Sequence, residues 1–143
     1  MTMKLFNFLS KKDNTSNRSI GYKGEKIACK YLKKHGYKIL KRNYQIRGGE
    51  IDIIARHQNQ LAFIEVKYRT NFSYGSGVSA VNNKKLANII YTAERFLNDN
   101  QQNKSLSSLE PAIEVIEIYQ QKNNKKPTIN HYKDLNTSKV KRK

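Results

Sequence analysis

Between residues 19 and 35 the apolar side chains Ile27, Ala28, Tyr31 and Leu32 recur every three or four positions, and Gly36 follows. That spacing gathers them on one face of an α-helix, and a glycine is the usual stop. The pattern then turns to alternation. Residues 37–46 (YKILKRNYQI), 50–56 (EIDIIAR) and 61–69 (LAFIEVKYR) read as strands, because side chains two apart share a face. The polar link HQNQ is short enough to make the second and third an antiparallel hairpin. Alternation places Ile51, Ile53 and Ala55 on one face and Glu50, Asp52 and Ile54 on the other. In the next strand Ile64, Val66 and Tyr68 oppose Phe63, Glu65, Lys67 and Arg69. Helical spacing returns over 78–97, with Val81, Leu86, Ile89, Ile90, Ala93 and Leu97, and PAIEVIEIYQ at 111–120 is a further strand. The order helix-strand-strand-strand-helix-strand predicts an α/β fold of three layers, a mixed sheet with helices on both faces.

Polar composition sets the limits of this unit. Residues 1–19 are rich in Ser, Asn and Lys and read as a flexible basic arm; residues 20–120 form one domain; residues 121–143 read as a basic, mobile tail. A chain of 143 residues has room for one core. The net charge is +17, from 28 Lys and Arg against 11 Asp and Glu, and the body between the two tails keeps about +7 of it. Such a field draws in polyanions, nucleic acid first and an anionic membrane surface second. Plain solubility accounts for the same charge equally well. The single cysteine, Cys29, requires no oxidising compartment and falls in the helical pattern as a small core residue. No apolar run is long enough to span a bilayer, and the N-terminal patch is too short for a signal peptide, so a soluble, cytoplasmic protein is expected.

Against this basic background the carboxylates are the informative residues. Opposed positions of the hairpin should sum to 117 or 118, which brings Asp52 opposite residue 65 or 66. A one-residue slip would send it to the other face. Two carboxylates about 4 Å apart repel by roughly 4 kcal/mol at an effective dielectric near 20. Lys67 offsets part of this, and a divalent cation more; Mg²⁺ takes one or two protein carboxylates while keeping waters and phosphate oxygens. Glu25, on the helical stripe of Ala28 and Leu32, should face the same region. The alternative for Glu65 and Lys67 is an ordinary solvated ion pair on a half-buried strand.

Glu25 in GYKGEKIA, Asp52 in GGEIDIIA, and Glu65 with Lys67 in FIEVKYR together resemble the restriction-endonuclease-like nuclease superfamily. More narrowly, the chain resembles the YraN family of small bacterial proteins, which are similar to Holliday-junction resolvases. The resemblance runs from about residue 20 to 119. It implies a restriction-endonuclease-like core and a metal-dependent endonuclease acting on DNA, branched or structured DNA included. It further implies Mg²⁺ or Mn²⁺ held by Asp52, Glu65, Glu25 and the Val66 carbonyl, with Lys67 acting on the attacking water. Two-fold junction cleavage would imply a homodimer. The closing strand departs from the family pattern, with Ile113-Glu114 where Phe-Asp is usual.

Lys23, Lys26, Arg47, Arg69, Lys84 and Lys85 are candidates for phosphate contact, and as surface charges they equally need no ligand. Tyr22, Tyr31, Tyr37, Tyr44 and Tyr74 could stack on bases, although a buried ring with a wet hydroxyl is the commoner state. His35, His57 and His131 lack metal-ligand spacing, and YGSG at 74–77 lacks the sequel of a P-loop. The second reading is a non-catalytic nucleic-acid-binding module that keeps a nuclease fold. A third, a membrane-surface adaptor, would need an amphipathic helix free of the sheet.

Overall fold

A computed structural model describes residues 14–70, 83–120, 126–133 and 135, with side chains from residue 21 onward. The first helix, α1 (Asn14–Lys34), begins before the expected residue 19, inside the segment read as a flexible arm. It stops as its sequence requires. Gly36 takes φ +87°, Tyr37 N–H bonds to the Leu32 carbonyl at 2.9 Å and Gly36 N–H to that of Lys33 at 3.2 Å. These two bonds close a Schellman turn, and Leu32 and Tyr37 pack together beneath it in the core.

Five strands follow as one mixed sheet in the order β1-β2-β3-β4-β5. They are β1 (Lys38–Ile46), β2 (Gly49–His57), β3 (Gln60–Arg69), β4 (Glu110–Tyr119) and β5 (Thr128–Tyr132). Helix α2 (Asn83–Asp99) and the single turn α3 (Lys104–Ser107) carry the chain from β3 to β4, which run parallel. Residues 71–82, which hold YGSG and the expected start of the second helix at 78–82, lie outside the described residues, as do 1–13 and most of 121–143.

The sheet is covered on both faces. Ala28, Cys29 and Leu32 of α1 pack on Ile53, Ala55, Ala62, Ile64, Val66, Ile116 and Ile118. Ile89, Ala93, Phe96 and Leu97 of α2 pack on Ile51, Ile54, Leu61, Phe63 and Ile113. The three-layer α/β arrangement expected from the pattern is therefore present. β3 alternates as expected. β2 does not: Ile51 joins the α2 side with Ile54, opposite Ile53 and Ala55. Alternation fails at Asp52, and in the paired strand Asn43 takes a left-handed φ of 52° at the matching place. Asparagine tolerates that conformation better than most residues. At the turn between β1 and β2, Asn88 of α2 donates to the Gly48 carbonyl at 2.7 Å. A Cβ on Gly49 would collide with Thr92 Oγ1, so helix and turn meet closely only because Gly49 has none.

β5 corrects the reading of residues 121–143 as a tail. Glu114 and Glu117 of β4 are buried, at 1% exposure each, and a buried carboxylate needs donors. β5 brings them. His131 Nε2 lies 2.6 Å from Glu114 Oε1, and Asn130 and Tyr132 both donate to Glu117 Oε1 at 3.3 Å. Tyr37 also donates to Glu114, at 2.9 Å. Tyr37→Phe removes one such bond without changing shape and is expected to cost about 1 kcal/mol in urea unfolding. Glu114→Leu strips two partners and should cost more, about 2–3 kcal/mol.

Burial raises the Cys29 thiol, and the phenols of Tyr31, Tyr44 and Tyr119 rise by desolvation, then by the charge of Glu114, the charge of Asp99 and the hydrogen bond that Tyr119 donates to Glu117's carboxylate respectively. The unfolded chain loses these protons first. Stability is therefore complete below the ordinary thiol value of about 8.5 and falls as pH rises through the raised values. Thermal unfolding at constant ionic strength should show Tm declining on the alkaline side, with Cys29→Ala removing the earliest part of the decline.

Candidate functional site

The site is organised by a fork in the sheet. β1 stays paired with β2 to Ile46↔Gly49, and β3 stays paired with β4 to Arg69↔Tyr119. Between β2 and β3 the ladder stops at Ile53↔Ile64. Those partners sum to 117, one of the two expected registers. Asp52 and Glu65 are the next residues, at the crotch where the strands part. Asp52, 2% exposed, accepts the Val66 backbone N–H through Oδ2 at 2.8 Å. A side chain thus replaces the lost rung of the ladder.

Glu65 points to the α2 side, as does Phe63 two residues before it. Its carboxylate is 2% exposed. Oε1 lies 3.4 Å from Lys67 Nζ and 3.5 Å from Lys85 Nζ. Oε2 is buried with no hydrogen-bond partner. Lys67 is partly open, with a side chain 27% exposed, so this acid-base pair touches solvent at one end. Burying Glu65 between two ammonium groups offsets the desolvation of the carboxylate.

Glu25 is carried by α1 to the opposite face, where it is 6% exposed and accepts from Asn43 Nδ2 at 2.9 Å. Gly24 explains how the helix comes near. A Cβ there would stand 2.7 Å from Tyr68 Cβ, too close for any side chain, so the glycine permits α1 to lie against β3. Glu50, also buried, receives a long contact from Gln45 Nε2 at 3.5 Å.

Lys23, Lys26, Arg47 and Lys84 are exposed, and Arg69 is half-buried. Lys85 is not on the surface; it is buried at Glu65. Reasoning from sequence did not single out Asn43, whose amide donates to Glu25. It did not assign Glu117 either, a buried carboxylate with one partnerless oxygen, Oε2, beside Lys67 in the sheet. Nor did it give His131 a place, yet this histidine joins Glu114 to the Tyr31 hydroxyl, which lies 3.2 Å from its Nδ1. Only the packing of strands with one another and with α1 brings these residues together, and β5 carried no strong strand signal.

Among the described residues no group of three or more His, Cys, Asp or Glu side chains is spaced to hold a metal ion. Glu25, Asp52 and Glu65 are thus not gathered as a closed cage. The donor set still fits a hard cation in one respect: the buried Oε2 of Glu65 is an unused acceptor, and oxygen ligands with waters are what Mg²⁺ prefers.

The sequence model of the uncharacterised protein family UPF0102 matches residues 24–118. A UPF0102 protein of Carboxydothermus hydrogenoformans is 42% identical over 120 residues, 84% of this chain and 97% of that relative. One from Clostridium botulinum strain Eklund 17B is 40% identical over 118 residues, 82% and 93% of the two chains. One from Caldanaerobacter subterraneus is 38% identical over 104 residues, 73% and 82%.

The matched segment opens on Gly24. Gly24→Ala is expected to push α1 away from Tyr68 and destabilise the fold by about 1–3 kcal/mol, as overpacking does. Chemical unfolding checks it, beside the exposed helical control Lys26→Ala, which should stay within about 0.5 kcal/mol of the parent.

Proposed function

The chain belongs to the UPF0102 family, also called the YraN family, and from the site at its sheet fork we propose that it is a metal-dependent endonuclease acting on DNA. The observation that carries this reading is Glu65: a carboxylate buried at the crotch beside Asp52, flanked by two lysines, with one oxygen left without a hydrogen-bond partner. A buried carboxylate is costly unless cations offset it; Lys67 and Lys85 do so at Oε1, and a divalent ion would do so at the oxygen they leave without a hydrogen bond.

Asp52 and Glu65 would hold Mg²⁺ or Mn²⁺, with the Val66 carbonyl and, from the far side of the fork, Glu25 or a water it binds. Bound there, the ion supplies Lewis-acid polarisation of a phosphodiester and a more acidic water. Lys67 is the partly open group of the site. Its ammonium orients the water and stabilises negative charge developing on the phosphoryl oxygens, while Glu65 keeps that ammonium in place. Lys85, buried behind Glu65 at 3.5 Å from its Oε1, braces the carboxylate from the helix side. Asp52, pinned to the Val66 N–H, keeps the metal-binding groups of β2 and β3 in register. The phosphate backbone on either side of the cut would lie on the exposed Lys23, Lys26 and Arg47.

A second reading is a nucleic-acid-binding module without turnover. The contact of Glu65 Oε1 with both Lys67 and Lys85 favours it, since two ammonium groups neutralise the carboxylate with no metal at all.

Purified protein incubated with labelled single-stranded, duplex, flap and four-way-junction DNA decides between them. The expected result is cleavage with Mg²⁺ or Mn²⁺ that EDTA abolishes. Asp52→Ala and Lys67→Ala should each lower it by about 10²–10³-fold, the scale of losing one group that stabilises transition-state charge. Salt-sensitive binding without cutting of any substrate would reject the nuclease and leave the binding module.

A further inference from the structure

Most of the described tyrosines are drawn into the core or its polar networks. Tyr22 is not; it is 62% exposed, the largest exposure of any described large hydrophobic side chain. It stands on α1 one turn before Glu25, so the two share a helix face. The guanidinium of Arg42 lies 5.9 Å from the Tyr22 ring centroid, within cation–π range. Arg42 is itself exposed and directly precedes Asn43, the residue that holds Glu25. Ring and guanidinium therefore form a rim outside the Glu25 side of the fork. Along the same helix and strand Lys23, Lys26, Lys30 and Lys41 are all exposed.

We propose that Tyr22 and Arg42 form a stacking platform for one unpaired nucleobase of a DNA strand whose phosphates lie on these lysines. A flat ring and a flat guanidinium offer π-faces that any base can meet, and neighbouring ammonium groups hold the backbone. A base inside a duplex cannot use the platform, because its two faces are already stacked. The substrate class that follows is DNA with an unpaired nucleotide beside the fork: an overhang, a flap or an open junction rather than a continuous duplex. This rests on the reading that nucleic acid approaches the fork, yet not on its being cut.

The experiment is fluorescence anisotropy with the full chain in EDTA. Three labelled ligands are compared: a duplex with a single-stranded overhang, the same overhang made abasic, and a blunt duplex of equal length. The parent should prefer the overhang to its abasic form. Tyr22→Ala should weaken the overhang complex about tenfold, the scale of losing one stacked base, while leaving the abasic and blunt complexes within about twofold. Tyr22→Phe keeps the ring and should bind like the parent. An exposed ring can be removed without unfolding the chain, and an unchanged Tm verifies that. Equal loss on all three ligands, no loss on any, or a parent that does not bind or does not discriminate would each overturn the platform. A protein that discriminates in EDTA but never cleaves with Mg²⁺ would keep the platform and refute the nuclease; one that cleaves but treats abasic and natural overhangs alike would do the reverse.

Discussion

The parting of β2 from β3 is the constraint from which the site follows. A sheet whose central strands separate exposes backbone groups that the ladder no longer satisfies, and these need other partners. Asp52 supplies one by accepting the Val66 N–H. The same bond turns a defect into a positioned carboxylate. It also fixes what lies on either side, because Val66 sits between Glu65 and Lys67 and anchoring its backbone anchors both neighbours. On the outer strand Asn43 takes a left-handed conformation opposite the break, and β1 stays paired with β2 past it.

Buried charge is the second theme, and its partners differ from one carboxylate to the next. Glu65 is met by cations, Lys67 and Lys85. Glu114 is met by the phenol of Tyr37 and the imidazole of His131. Glu117 is met by an amide and a phenol from β5. The last two sets explain why β5 belongs to the sheet although its own side chains are only half-buried. Its contribution is less apolar area than hydrogen bonds for carboxylates that β4 would otherwise strand in the interior.

The layers were legible in the sequence because they depend on periodicity. Ala28 with Leu32, Ile89 with Ala93, and the alternation of β3 each follow a period set by one element alone. Asp52, Glu65 and Lys67 were legible for a similar reason, since a short hairpin fixes its own register. The side assigned to Ile51 was wrong because period-2 counting assumes an unbroken strand, and the break at Asp52 leaves no mark in the pattern. Lys85 looked like a surface residue because a lysine at the start of a helix usually is one. Its burial depends on Glu65, twenty positions away and across the fork. Asn43 and His131 were missed for that same reason: their meaning lies in the partner, and the partner is known only once strands and helices are packed.

Among the described residues β1 lies at the margin of the sheet, with no further strand paired to its outward side. An open margin of this kind is a template on which a second chain can add a strand and begin to aggregate. This one is guarded. A register shift between Ile39 and Lys41 and the left-handed Asn43 interrupt its flatness. Lys38, Lys41 and Arg42 crowd it with exposed positive charge. An incoming copy would bring the same charges to the same edge and be repelled. The basic strand next to the fork thus keeps the chain from polymerising through its own sheet, whatever polyanion it also attracts.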